Sequence, residues 1–519
     1  MQLTLQIPDG SERTIEVTAA DLGRRLSDFL EDHLCPLNTR CGSTGRCRGC
    51  QLEAPSDSGK AQTFRACQST VGEAAAIAPR FTIPARSWRD HSLSGVSAFE
   101  ILGTPPAHRP RPGLGIALDI GTTTLGAAIW DLESGKCLAH RSSANPQRRF
   151  GDNVASRVGF SVDTPDATTR LQQALIHDGL RPLLRDLLES IGRDSGSVTE
   201  AVAAGNAVML HTLAGVSLEG FAAYPFEPGF LEEQNLTLPL LPEGQDLPTL
   251  LLPSLGAFVG ADVAVGALAA GWLDRQTSEL LIDFGTNGEI LLKHAGRYIG
   301  TATAAGPAFE GGRLHCGRAA GPGVIGALAL EGDTWRITLC DKTRTEPVGL
   351  AGAAYIDFLH HARHAGLLNE SGRIQRDHPL ASTRVVDDAP EWVVEIRSEV
   401  FVTEADIAEL LQAKAAIAGG VATLLERAGI TAGALDHLTI AGGFGFHLGK
   451  EAATSTGLIP AVPADRLQTL GNTSLGGASL LLLHGSSRPL APLLADCECI
   501  ELNQCSSFED HYIDHLGLP

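Results

Sequence analysis

Four cysteines offer the first chemistry. Cys41, Cys47 and Cys50 fall in CGSTGRCRGC, and Cys67 follows in RACQS after 16 intervening residues. Four thiolates meeting at one point can hold an iron–sulfur cluster, provided the joining loop wraps so that backbone N–H groups face the sulfides. Gly42, Ser43, Gly45 and Gly49 permit that wrapping, and Arg46 and Arg48 could offset an anionic cluster. A zinc site is the rival, since a Cys-x2-Cys knuckle with two further cysteines also suits tetrahedral zinc. Cys35 is an alternative ligand, although the glycine-rich loop favours Cys41.

A second chemistry lies in GLGIALDIGTTTLGAAIWDLESG. An apolar run from Leu114 to Leu118 ends at Asp119, a turn of Gly121, Thr122, Thr123 and Thr124 follows, and a second strand is predicted over Leu125–Trp130. Such a hairpin can donate backbone N–H and hydroxyl groups to phosphate, with its carboxylate placed to hold magnesium water. LLIDFGTNGEILL repeats the pattern with Asp283, Gly285, Thr286, Asn287 and Gly288, and the two Asp residues lie 164 positions apart. Two copies of one phosphate hairpin imply a duplicated fold clamping a nucleotide. A third element, LTIAGGFGFHLGK, predicts a strand over Leu438–Ala441 before Gly442 and Gly443, where a nucleoside can approach the backbone closely. No G-x-x-x-x-G-K-[ST] occurs, which removes a P-loop NTPase.

The elements that must position these residues follow from pattern. Strands are predicted over Gln2–Ile7 and Thr14–Val17, with an amphipathic helix at about Ala20–His33. Pro84, Pro105, Pro106, Pro110 and Pro112 mark residues 81–112 as an extended connector. The chain therefore divides into a head of residues 1–80, a linker of 81–112 and a body of 113–519 whose second lobe starts near 280. Across its 519 residues, 60 Asp and Glu oppose 40 Lys and Arg, so the charge of −20 speaks against a phosphate-tracking nucleic-acid binder. MQLTLQIPDG alternates like a strand and lacks the signature of a signal peptide. The apolar run Ser254–Leu273 contains Asp262 among Gly and Ala, which reads as a buried small-residue helix rather than a membrane span. The expectation is a cytoplasmic protein with no membrane or nucleic-acid partner.

The hairpin–helix–cysteine order of the head resembles a [2Fe–2S] ferredoxin. Its five residues between the first two cysteines match the adrenodoxin type rather than the plant type. The three body elements look like the actin–hexokinase–Hsp70 ATPases. The combination resembles the reductive activators of corrinoid proteins, as do Asn145–Val158, Ala204–Gly215, Ala304–Gly312 and the closing IELNQCSSFEDHY. The resemblance implies an α+β and α/β architecture: a β-grasp ferredoxin head, a Pro-rich linker and a duplicated actin-like ATPase. It implies that Cys41, Cys47, Cys50 and Cys67 hold the cluster, and that Asp119 and Asp283 organise Mg2+ and the attacking water. Thr122–Thr124 and Thr286–Gly288 would hold the phosphates of ATP, and Gly442 and Gly443 the adenosine. Glu289 and Glu310 are weaker candidates for positioning water, and Glu289 reads equally well as a solvated strand residue. The implied partners are a corrinoid protein and an upstream electron donor, with room for a homodimer. A small-molecule kinase with a redox-sensing head, or an electron-transfer docking module, is the alternative. Asn206, Met209 and His211 are expected in the core, and Cys497 and Cys499 as reduced thiols.

Overall fold

Strand patterning is plainest at the N-terminus, where Leu3 and Leu5 are buried and the residues between them are not. The computed structural model describes residues 1–7, 12–33, 35, 37, 50–55, 62–83, 106–285, 287–341, 344–397 and 399–519. Contacts divide the chain into two compact units. One holds Met1–His91, Gly311–Phe358 and Ala362–Glu409, and the other Ser92–Glu310, Leu359–His361 and Leu410–Pro519.

In the first unit, β1 (Gln2–Gln6), β2 (Glu12–Glu16), β3 (Gln51–Ala54), β4 (Gln62–Arg65) and β5 (Arg80–Thr82) form one sheet in the order β2-β1-β5-β3-β4. β1 runs antiparallel to β2 and parallel to β5, the β-grasp arrangement. The helix Leu26–Asp32 supplies Leu26, Phe29 and Leu30 to the core beside Leu3, Leu5 and Phe81. This helix starts six residues later than its amphipathic pattern predicts. The segment before it pairs its backbone elsewhere: the Leu26 amide donates to the Ser69 carbonyl, and the Leu22 and Arg24 carbonyls accept from the Gly72 and Val71 amides. The same unit carries two three-stranded sheets, β16-β15-β17 and β18-β19-β20. Their strands are β15 (Val324–Glu331), β16 (Thr334–Leu339), β17 (Gly349–Leu350), β18 (Ala381–Val386), β19 (Ala389–Arg397) and β20 (Val400–Thr403).

The second unit contains the duplication. β6 (Leu114–Ile120), β7 (Thr124–Asp131) and β8 (Lys136–Ala144) form an antiparallel meander. On the other side of β6, β9 (Val198–Gly205) and then β11 (Leu247–Leu251) run parallel, and β10 (Gln234–Leu238) closes the edge. The second sheet repeats this plan. β12 (Glu279–Phe284), β13 (Gly288–His294) and β14 (Arg297–Thr303) form the meander, with β21 (His437–Ala441) and β22 (Leu467–Thr469) parallel beyond β12. β23 (Cys497–Cys499) is added parallel to β14. Between the strands, the helix Thr473–His484 packs on Ala261–Ala269, the buried small-residue helix expected from sequence. Gly477 permits their close approach, because a Cβ there would lie 2.1 Å from the Val265 carbonyl oxygen. Among the described residues, only Glu404–Ala428 is long and apolar enough to cross a membrane, and 78% of its apolar window is buried within the fold.

Candidate nucleotide and cluster sites

Register places the two aspartates at equivalent points. Asp119 sits one residue before the end of β6 opposite Gly126, and Asp283 one residue before the end of β12 opposite Glu289. Each strand then turns through the glycine- and threonine-containing segment picked out by sequence. Asp119 Oδ2 accepts from Asn472 Nδ2 and Oδ1 from Ser474 Oγ, both at 2.7 Å. Burial pushes its carboxyl above the usual range, while those two donors pull it back. Asp283 has no such donors among the described residues, and burial together with the Asp262 and Asp119 carboxylates pushes it up to about 8.

Asp262 was invisible as a site residue in the apolar run around it. It lies in the first turn of Ala261–Ala269, where burial and the Asp119 charge push it up to about 7. Glu289 is not the solvated strand residue that its polarity allowed: it is 6% exposed, on β13 directly across from Asp283. Burial, then Asp262 and Asp283, raise it well above the carboxylate range. Four buried carboxylates thus lie close together: Asp119 disfavours charge on Asp262 and Asp283, and Asp262 and Asp283 disfavour it on Glu289. Among the described residues, no three His, Cys, Asp or Glu side chains form a direct metal cage. Mg2+ suits such a site, because it keeps several waters and binds through one or two carboxylates plus substrate phosphates.

Glu310 is brought to the first hairpin, where its Oε2 accepts from Thr123 Oγ1 at 3.0 Å. Thr122 is buried and its hydroxyl accepts from Asn206 Nδ2 at 2.9 Å. Met209 and His211 are buried, as expected, but Asn206 does more than fill the core. It caps the helix Ala207–Ala214 through the Met209 amide and touches the first hairpin turn as well. At the second hairpin the Gly285 amide donates to the Asn287 carbonyl at 3.0 Å, and Gly288 begins β13. Thr286 lies outside the described residues.

Gly442 and Gly443 open the short helix Gly442–Phe446 directly after β21, beside Asp283, which is in register with Ala441. Gly442 has φ +87°, and a Cβ there would lie 2.4 Å from the Phe284 carbonyl oxygen and 2.7 Å from Asp283 Oδ1. Only glycine fits. Phe444 stacks on Phe309 and meets Phe284 edge-on, fixing this glycine turn against β12.

In the head, Cys50 and Cys67 are both buried, and the Cys67 amide donates to Cys50 Sγ at 3.4 Å. The Gln68 side-chain amide lies 3.7 Å from Cys67 Sγ. Two neighbouring sulfurs that receive N–H groups fit a thiolate-ligated cluster. Cys41 and Cys47 lie outside the described residues. Cys35 is buried in the head core, and burial raises its thiol pKa.

The sequence matches the C-terminal domain of RACo, the ASKHA domain, over residues 277–519, and the RACo middle region over residues 114–276. The chain belongs to the RACo family. This RACo-family chain is 30% identical over 398 residues to the corrinoid activation enzyme RamQ of Eubacterium limosum, covering 73% of the chain and 66% of RamQ. It is 25% identical over 403 residues to the [Co(II) methylated amine-specific corrinoid protein] reductase of Methanosarcina barkeri, covering 72% of the chain and 70% of that protein. The chain thus spans about two thirds of the length of these relatives. The solved structure of a reductive activator for corrinoid, iron-sulfur protein shares the fold, with a TM-score of 0.70, 23% identity, and coverage of 100% of this chain and 98% of that one.

Proposed function

We propose that this RACo-family chain is an ATP-dependent reductive activator of a corrinoid protein, returning inactive Co(II) to Co(I) by one electron. The observation that carries this reading is the duplicated hairpin pair, which with Asp262 gathers four buried carboxylates, in one chain with a β-grasp head in which the Cys67 amide donates to Cys50 Sγ. The division into a head of residues 1–80, a linker of 81–112 and a body of 113–519 is part of this proposal, as is a cytoplasmic location. The substrates are ATP and the Co(II) of a corrinoid protein, with an upstream electron donor as the second partner.

Cys41, Cys47, Cys50 and Cys67 would hold a [2Fe–2S] cluster, which when bound supplies a one-electron carrier with a potential near about −400 mV for the plant type. The Cys67 amide stabilises negative charge on Cys50 Sγ. Asp119, oriented by Asn472 and Ser474, and Asp283 would hold Mg2+ with the nucleotide. The turns Gly121–Thr124 and Gly285–Gly288 would take the phosphates, and Gly442 with Gly443 the adenosine. Asp262 has a proton affinity near neutrality, which suits a general base accepting a proton from the attacking water at its carboxylate. Glu289 and Glu310 would position that water.

The deciding experiment uses anaerobic, cluster-loaded protein, a chemical reductant and a Co(II) corrinoid protein, following the optical change to Co(I) with and without MgATP. ATP-dependent Co(I) formation, with phosphate released to water, is expected. A reduced cluster that yields no Co(I) with several corrinoid proteins overturns the reading, and phosphate transfer to an acceptor identifies a kinase instead. Cys50→Ser should abolish electron transfer while ATP binding persists, read by cluster absorbance and nucleotide titration. Retained transfer would remove Cys50 from the ligand set.

A further inference from the structure

Arg157 is completely buried, in the helix Val154–Asp163, and every acceptor it reaches is neutral. Nη2 donates to the Thr122 carbonyl at 2.6 Å, Nη1 to Gln147 Oε1 at 3.0 Å and to Met209 Sδ at 3.2 Å, and Nε to the Gly151 carbonyl at 3.0 Å. Among the described residues no carboxylate forms an ion pair with it. Asp152 and Glu310 act on it only through space, and burial lowers its pKa to about 9, which still leaves a cation at neutral pH. A buried guanidinium without an anionic partner is costly, and an anion bound nearby would offset that cost.

The anion has an obvious place. Around the first hairpin turn, three successive carbonyls are drawn to the same side. Gly121 O accepts from Asn145 Nδ2 at 2.9 Å, Thr122 O from Arg157, and Thr123 O from the Asn145 amide at 2.8 Å. In a trans peptide the carbonyl of one residue and the N–H of the next point in opposite directions. Holding the Gly121 and Thr122 carbonyls on Asn145 and Arg157 therefore aims the amides of Thr122 and Thr123 the other way, as an anion-binding nest requires.

We propose that Arg157 is a positioning residue for nucleotide phosphates, holding the Thr122 peptide in its anion-binding orientation and supplying a fixed, water-shielded positive charge behind it. This rests on the reading of the two hairpins as an ATP site and deepens it. Arg157 does not touch the nucleotide, and its charge discriminates by phosphate number. It favours the triphosphate over the monophosphate and is indifferent to adenosine.

The test titrates full-length, cluster-loaded protein with MgATP, MgADP, AMP and adenosine by calorimetry. Wild type should bind in order of phosphate number. Arg157→Gln should weaken MgATP by about 10- to 100-fold, as expected for unit charges several ångströms apart at an effective dielectric near 20, and adenosine by less than about 3-fold. Arg157→Lys keeps the charge and should hold the ATP-to-adenosine affinity ratio within about 3-fold of wild type, an outcome that carries the test if the Gln variant does not fold. An equal loss for all four ligands in Arg157→Gln, or a collapsed ratio in Arg157→Lys, reduces Arg157 to a structural brace and overturns the proposal. Wild type that binds none of the four overturns the ATP-site reading instead.

Discussion

The two hairpins share a topology and differ in chemistry. Both place Asp one residue before a strand end, turn through small and hydroxyl residues, and lie beside a parallel strand, β9 or β21. Asp119 is held by two short hydrogen bonds that favour its charged form, whereas Asp283 has no donor among the described residues and is crowded by Asp262 and Asp119. Duplication preserved the backbone and let the electrostatics diverge. One carboxylate has two protein donors that offset part of its burial, and the other has none among the described residues and is pushed up to about 8.

The largest effect expected from this contrast is on turnover. Asp283→Ala should leave the cluster intact and reduce ATP-dependent Co(I) formation by on the order of 100-fold or more, as expected for loss of a group that organises developing charge. Normal ATP-dependent reduction by this variant would show that the second hairpin is not part of the site.

Stability should separate the two aspartates next. Asp119→Asn turns an amide N–H toward Asn472 or Ser474 and leaves a buried donor without an acceptor, which costs about 1–3 kcal/mol. Asp283→Asn breaks no hydrogen bond and should stabilise metal-free protein at pH 8. Denaturant unfolding of both variants measures this, and equal losses would erase the proposed divergence.

A pH series sharpens the same point. Asp283 titrates at about 8 when folded and near about 3.9 when unfolded, so the folded state binds its proton more tightly. Stability of the nucleotide- and metal-free protein should therefore fall as pH rises from about 4 to about 8. Asp262 titrates at about 7 and contributes to the fall only up to there. Asp283→Asn should flatten the melting-temperature curve between pH 7 and 8, and an unchanged slope would assign the effect to other groups. The smallest change expected is in Ser474→Ala, which removes one of two donors to Asp119 and should raise the pKa of that carboxyl, read by NMR titration or by a shifted pH–rate profile.

Much of this was legible in the chain because the signals are local. A strand, an acidic residue and a Gly–Thr turn occupy about ten consecutive positions, and strand–turn–strand geometry keeps them together whatever the rest of the chain does. The glycines at 442 and 443 announced themselves for the same reason, and φ +87° at Gly442 supplies the cause. The helix predicted from Ala20 starts only at Leu26 because the backbone of Leu22, Arg24 and Leu26 pairs with residues 69–72, far along the chain.

Asp262 and Arg157 had no local signature. Asp262 stood in an apolar run and Arg157 in an ordinary amphipathic helix, and neither neighbourhood indicates what faces the side chain. The partners of Asp119 are further still: Asn472 and Ser474 lie 353 and 355 residues along the chain. Sequence by itself determined the family, the duplication and the make-up of the turns, because each depends on contiguous residues and their period. Only the tertiary structure decided which aspartate has side-chain donors, which carboxylates crowd one another and which cation lies behind the first turn. Desolvation and Coulomb terms depend on distances through space, and these are set by how separate strands and helices pack.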